Sequence, residues 1–252
     1  MAYKANEKEY SEEIFHGVID GLSIFHKIYT TAGSYPLSSS PESAVFWIVL
    51  QGNGTICSEL SRQFLDKDSL IVLPTNAQSM QLELLERQSL HILEFRKAYS
   101  EVDKAEVSPS REFYYARFED CEPYTEKIKS PNTISRTVLH NGIIPRVALG
   151  TVEAMGPDRV GEHSHPMLEQ LFLGLANNQI TVFADEARCE MGEYSLLHIP
   201  LGSTHWVEVA EGSNMNYMWM DFFLTKAGEV WLKTHKPISE KAISDSSTSS
   251  TD

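Results

Sequence analysis

The chain is short of positive charge. Thirty-five acidic residues stand against 21 lysines and arginines, a net charge of −14. No basic field exists to attract phosphate, which argues against nucleic acid and against an anionic membrane surface as partners. A small anionic ligand needs only one local positive charge and stays open. Cysteine is scarce too: Cys57, Cys121 and Cys189 are odd in number, far apart and without metal-type spacing. That argues against a disulfide framework and for free thiols in a reducing cytoplasm. No run approaches the roughly 18 apolar residues of a membrane-crossing helix. The opening stretch MAYKANEKEYSEEIFHG has no apolar segment of the kind a secretory signal carries. Long helical periodicity is also missing.

What the chain has instead is many short apolar runs rich in Val, Ile, Phe, Tyr and Trp, punctuated by Gly, Pro, Asn and Asp. This pattern predicts an all-β sandwich or barrel. Strands are expected over 22–29, 44–51, 55–58, 70–73, 79–84 and 90–95, with a turn at Gly52-Asn53-Gly54. A polar segment over 96–132 follows, in which Phe113, Tyr114 and Tyr115 predict docking on a barrel rather than a free linker. Further strands are expected over 146–152, 169–175, 179–184, 194–199, 205–209 and 215–223, then a short helix over 227–233. The two halves share a layout, since Asp68-Ser-Leu-Ile-Val-Leu-Pro74 and Gly192-Glu-Tyr-Ser-Leu-Leu-His-Ile-Pro200 each follow an apolar strand and a turn. The expected division is a first barrel over 1–97, a connecting segment over 98–133, a second barrel over 134–235 and a disordered tail over 236–252.

The informative segment is Gly161-Glu-His163-Ser-His165-Pro-Met-Leu-Glu169. On extended chain alternate residues share a face, so His163, His165 and Glu169 point the same way, with Glu162 and Gln170 pointing the other. A helix would set the two histidines about 200° apart. His205 follows in Pro200-Leu-Gly202-Ser-Thr-His205, where proline and glycine make a tight bend before a strand. Three imidazoles and one carboxylate suit a single divalent transition metal: iron, manganese, zinc or nickel. Such a set leaves positions open for substrate.

These residues resemble the two cupin motifs, G(x)5HxH(x)3–4E(x)6G and G(x)5–7PxG(x)2H(x)3N. The departures touch turns: Gly161 lies beside Glu162 rather than upstream, Ala176 stands where the closing glycine is expected, and Val209 replaces the final asparagine. The resemblance implies two tandem cupin jelly-roll barrels, with metal ligands His163, His165, Glu169 and His205 in the second. Aligning Pro74 with Pro200 sets Asn76 at Gly202 and Ser79 at His205, while Ser39 and Pro41 fall at the two histidines of the first motif. The first barrel is therefore expected to hold no metal.

The 215–223 run alternates, with Tyr217, Trp219 and Asp221 on one face and Asn216, Met218, Met220 and Phe222 on the other. Parity does not say which face lines the cavity. Tyr217 and Asp221 are the candidate catalytic acid–base groups. Arg146 is either a carboxylate anchor or a surface residue. His198 is either a lining or a packed histidine, and His16, His26, His91, His140 and His235 are given structural or surface roles. The expected function is a cytoplasmic enzyme, acting on a small sugar-like or carboxylate molecule by isomerase or lyase chemistry through a metal-stabilised enolate. An Fe(II)-dependent dioxygenase and a non-catalytic ligand-binding protein are the alternatives. Sheet edges allow a homodimer. Replacing Ser79 by alanine is expected to leave the metal content of purified protein unchanged; loss of metal on elemental analysis would rule out a single centre in the second half.

Overall fold

The computed structural model describes residues 9–77 and 79–234. His235 and the tail expected over 236–252 lie outside them. The first half runs β1 (Glu9–Ile14), β2 (Leu22–Tyr29), β3 (Gly33–Leu37), β4 (Ser43–Ser58), β5 (Arg62–Asp66), β6 (Ser69–Val72), β7 (Met80–Leu84), β8 (Leu90–Ala98), α1 (Glu101–Glu106) and β9 (Tyr114–Arg117). The second runs β10 (Pro123–Tyr124), β11 (Ile134–Leu139), β12 (Val147–Met155), β13 (Asp158–Ser164), β14 (Leu168–Gly174), β15 (Gln179–Ala184), β16 (Ala187–Gly192), β17 (Leu196–Ile199), β18 (Thr204–Val209), β19 (Asn214–Phe223) and α2 (Lys226–Thr234). The expected all-β class holds. No helix among the described residues is long and apolar enough to cross a membrane.

In the second half the strands alternate between two sheets. One has the order β10-β11-β12-β19-β14-β17 and the other β13-β18-β15-β16. Successive strands switching sheets in this order is the jelly-roll arrangement. The first half shows the same interleaving inside one nine-stranded sheet, because β4 serves both layers. Its first part pairs with β6 and β8, and its second with β5 and β7. The turn expected at Gly52-Asn53-Gly54 is therefore a bend within one strand. Gly52 makes it, with φ +81° and a missing Cβ that would stand 1.9 Å from the Ser89 carbonyl oxygen.

Both sides of β4 are covered, which is why Ala44 to Leu50 reads as an unbroken apolar run. Phe46, Ile48 and Leu50 enter a core shared by the two halves, which also holds Leu149, Leu171, Leu173, Met218, Met220 and Phe222. Val45, Trp47 and Val49 point the other way, into the interior of the first half. The second half has its own interior, around Val160, Phe172, Val207 and Tyr217.

Several elements carry little sequence signal. β1 is a charged edge strand, with the sequence EYSEEI, a composition that discourages edge-to-edge pairing. The 96–132 segment holds α1, capped by Ser100 through a reciprocal pair with Asp103. Tyr114 and Tyr115 lie in β9, which extends the first sheet beside β6.

Arg146 is neither a surface residue nor a substrate anchor. It precedes β12 with φ +60°, is buried, and ion-pairs through its Nε with Asp103 of α1. Its backbone N–H donates to Glu229 Oε1 of α2 at 2.7 Å. Burial pushes the Asp103 carboxyl up, but the Ser100 hydrogen bonds and the Arg146 guanidinium outweigh it and hold the group below its ordinary value. This clasp joins α1, the start of β12 and α2. Replacing Arg146 by methionine would strand a buried carboxylate, so a loss of about 3–5 kcal/mol is expected. Urea unfolding checks this, with the double variant Arg146→Met, Asp103→Leu expected to recover much of the loss.

Candidate metal centre

Three imidazoles converge at one end of the second half. His163 lies in β13 and His205 in β18, as direct cross-strand partners. His165 follows the end of β13, before the Pro166-Met167 turn. Ring centroids are 4.4 Å apart for His163 and His205, 4.9 Å for His163 and His165, and 5.4 Å for His165 and His205. One ring nitrogen from each falls within 4.8 Å of the others.

The backbone sets the tautomers. His163 Nδ1 lies 2.8 Å from the Gly161 carbonyl oxygen, and His205 Nδ1 lies 3.1 Å from that of Ser203. A carbonyl only accepts, so each Nδ1 carries the proton and each neutral ring keeps its lone pair on Nε2. His205 Nε2 is buried without a hydrogen-bond partner. Burial first, and the neighbouring His163 second, push the His205 imidazole down to about 4. The ring is therefore neutral at pH 7 and its nitrogen ready to donate. A buried, unpartnered lone pair beside two more imidazoles is a costly arrangement unless a cation completes it. The residues fit a divalent metal.

Glu169 does not join them. Its Oε2 lies 2.9 Å from His198 Nε2, and it pairs in the sheet with Phe222, which points into the core shared by the halves. The adjacent Gln170 takes the inward place, opposite to the expectation. The parity count assumed one continuous strand from His163 to Glu169. The chain instead leaves one sheet after Ser164, turns, and enters the facing sheet at Leu168. That crossing inverts which residues face inward. The longer spacing allowed by the first cupin motif, four residues after the second histidine, lands on Gln170 and was the available signal. His198 is the partner of Glu169 and does not line the cavity.

His163 and His165 line a cavity of about 720 Å³, with His205 buried against His163. Val160, Phe172 and Val207 give it apolar walls. Tyr217, Trp219 and Asp221 line it, which settles the parity of β19, with Met218, Met220 and Phe222 on the other face. Asp221 is buried and accepts a hydrogen bond from Gln170 Nε2 at 2.7 Å. Burial pushes its carboxyl up to about 7, with Glu126 adding to the shift and Gln170 and Lys129 opposing it. Burial likewise pushes the Tyr217 phenol far up. His140, given a structural or surface role from the sequence, also lines the cavity, as do Tyr124 of β10 and Glu126 and Lys129 from the segment after it. Nothing in their spacing marked these residues, because the fold alone brings them to the site.

No family model matches the chain, and no curated protein sequence does. Solved structures do match. A cupin 2 conserved barrel domain protein from Leptotrichia buccalis superposes with a TM-score of 0.62 at 14% identity, over 88% of this chain and 92% of that one. A protein from Pseudomonas aeruginosa described as glyoxylate-induced gives 0.70 at 11% identity, over 86% and 82%. An oxalate decarboxylase from Bacillus subtilis gives 0.62 at 10% identity, over 95% and 83%. At these identities the likeness concerns the fold, which is that of cupin-domain proteins.

Replacing His205 by alanine is expected to abolish manganese or zinc uptake, measured by elemental analysis. Glu169→Ala is expected to leave it unchanged, because that carboxylate is spent on His198.

Proposed function

We propose that the chain is a metal-dependent enzyme, acting on a small polar molecule held between the histidine triad and Asp221. The observation that carries this reading is a buried carboxyl, balanced near neutral pH, in a cavity lined by His163 and His165, which with His205 bring one ring nitrogen each to one place. His163, His165 and His205 would hold a divalent ion, which would supply Lewis-acid polarisation of a substrate carbonyl or carboxylate oxygen.

The chain's own groups account for the rest. The Gly161 and Ser203 carbonyls hold two imidazoles in the donating tautomer. The Gln170 amide fixes the Asp221 carboxyl on the cavity wall. Asp221 removes a proton from the carbon beside the substrate carbonyl and returns it, because a carboxyl near pH 7 serves as both base and acid. Tyr217, held protonated by burial, donates a hydrogen bond rather than acting as base. Phe172, Val160 and Val207 keep bulk water from the reacting carbon. Proton movement next to a carbonyl is isomerase or lyase chemistry.

In this reading the halves are two tandem jelly rolls with one metal centre. The shared strand interleaving supports it. So does the interior of the first half, where Tyr29, Trp47, Ile56 and Leu82 fill the space with apolar bulk.

The test is hydrogen exchange in D2O. Metal-loaded protein is incubated with a panel of ketoses and 2-oxo acids, and loss of the proton beside the carbonyl is followed by NMR. Exchange is expected with at least one compound. It should fall by at least about 100-fold in Asp221→Asn, with metal content retained. Dioxygen uptake by the iron-loaded protein, or binding of the panel without exchange, would overturn the reading.

A further inference from the structure

The cavity has a second charged feature, supplied by the segment between β10 and β11. That segment spans the gap between the two sheets. At one end β10 pairs with β11 on the six-stranded sheet. At the other, Lys129 bridges Val160 of β13, the edge of the four-stranded sheet. The Gly161 N–H donates to the Ile128 carbonyl at 2.6 Å, an approach that a side chain at 161 would obstruct. Ser130 and Thr133 donate to Asp158 Oδ2 at 2.6 and 3.2 Å. The segment is thereby fastened as a wall of the cavity.

Lys129 is the buried cation of that wall, with its side chain 6% exposed. Its ammonium donates to Ser135 Oγ at 2.8 Å and pairs with Glu126 at 2.6 Å. It also lies 5.7 Å from the Tyr124 ring centre. An ammonium has three donors. Two have polar partners, and Lys129 lines the cavity. The Glu126 side chain is 31% exposed, so an incoming carboxylate can compete with it for the ammonium. Asp221 lines the same cavity, and the exposed Lys127 adds a further positive charge at its wall. An uncharged oxygen-bearing molecule offers the ammonium only a neutral acceptor, which competes poorly with Glu126. A carboxylate would pair with the ammonium.

We propose that Lys129 binds the carboxylate of the substrate, so that the site takes small carboxylic acids in preference to neutral sugars. This rests on the reading that the histidine-lined cavity is the active site, and it adds the substrate class.

The test is calorimetric titration of the full chain, metal-free and manganese-loaded, with pyruvate, malonate and neutral dihydroxyacetone. Pyruvate or malonate is expected to bind and dihydroxyacetone to bind far more weakly. Lys129→Gln should weaken carboxylate binding about tenfold or more, and Lys129→Arg should keep most of it. A lysine that merely fastened the wall would lower the melting temperature of Lys129→Gln and leave carboxylate affinity unchanged; that result overturns the proposal. Equal or tighter binding of dihydroxyacetone does so as well. Should Lys129→Gln fail to fold, Glu126→Gln serves instead. Freeing Lys129 from its ion pair should tighten carboxylate binding, and no tightening counts against the proposal. Carboxylate binding that depends on Lys129 in a protein that takes up no metal would sustain this inference and sink the metal-enzyme reading. Metal uptake with no carboxylate binding would do the reverse.

Discussion

The strands of the six-stranded sheet must satisfy two different surroundings at once. Leu171, Leu173, Met218, Met220 and Phe222 face the apolar layer shared with the first half. Gln170, Phe172, Tyr217, Trp219 and Asp221 face the cavity. A slip of one residue in the register of β14 or β19 would exchange the two sets, driving a carboxyl and an amide into the shared core and methionines into the site. The cost of burying those polar groups fixes the register. The geometry of the site is therefore a by-product of how the two halves pack.

That packing also sets the electrical character of the site. His205 is 1% exposed, and Phe172 covers it, with ring centroids 5.9 Å apart. Burial and the neighbouring His163 outweigh the pull of Asp185, so this imidazole stays neutral. Burial likewise raises the Asp221 carboxyl to about 7, so near neutral pH it is shared between its protonated and ionised forms. Burial thus keeps a neutral lone-pair donor in the triad and a readily protonated carboxyl on the cavity wall. In bulk water the same two groups would exist at pH 7 as a partly protonated imidazole and a carboxylate.

Much of this was legible in the residues. The β-rich alternation gave strand positions close to those observed, as with β2 and β15, and the His-x-His and Pro-x-Gly-x-x-His spacings located three imidazoles that meet in space. What failed did so for identifiable reasons. Parity reasoning holds within one strand, and the chain turns between two sheets after His165, so Gln170 and not Glu169 looks inward. Glycine reads as a turn, yet Gly52 only bends a long strand. Arg146 reads as an available cation, yet Asp103 lies 43 positions away in sequence and captures it. Lys129, Glu126 and His140 had no pattern at all, since tertiary contact alone gives them a place at the cavity.

The position of β19 has a consequence for how the molecule is made. It lies between β12 and β14, in the middle of the sheet, but is synthesised after both. Until it emerges, the nascent chain carries two open strand edges with an apolar face between them. Such a surface invites pairing with other chains. The histidines of β13 and β18 are translated before the strand that completes the cavity beside them. The site therefore assembles late, when β19 fills the gap, and the capacity to hold a metal should be among the last properties the nascent chain acquires.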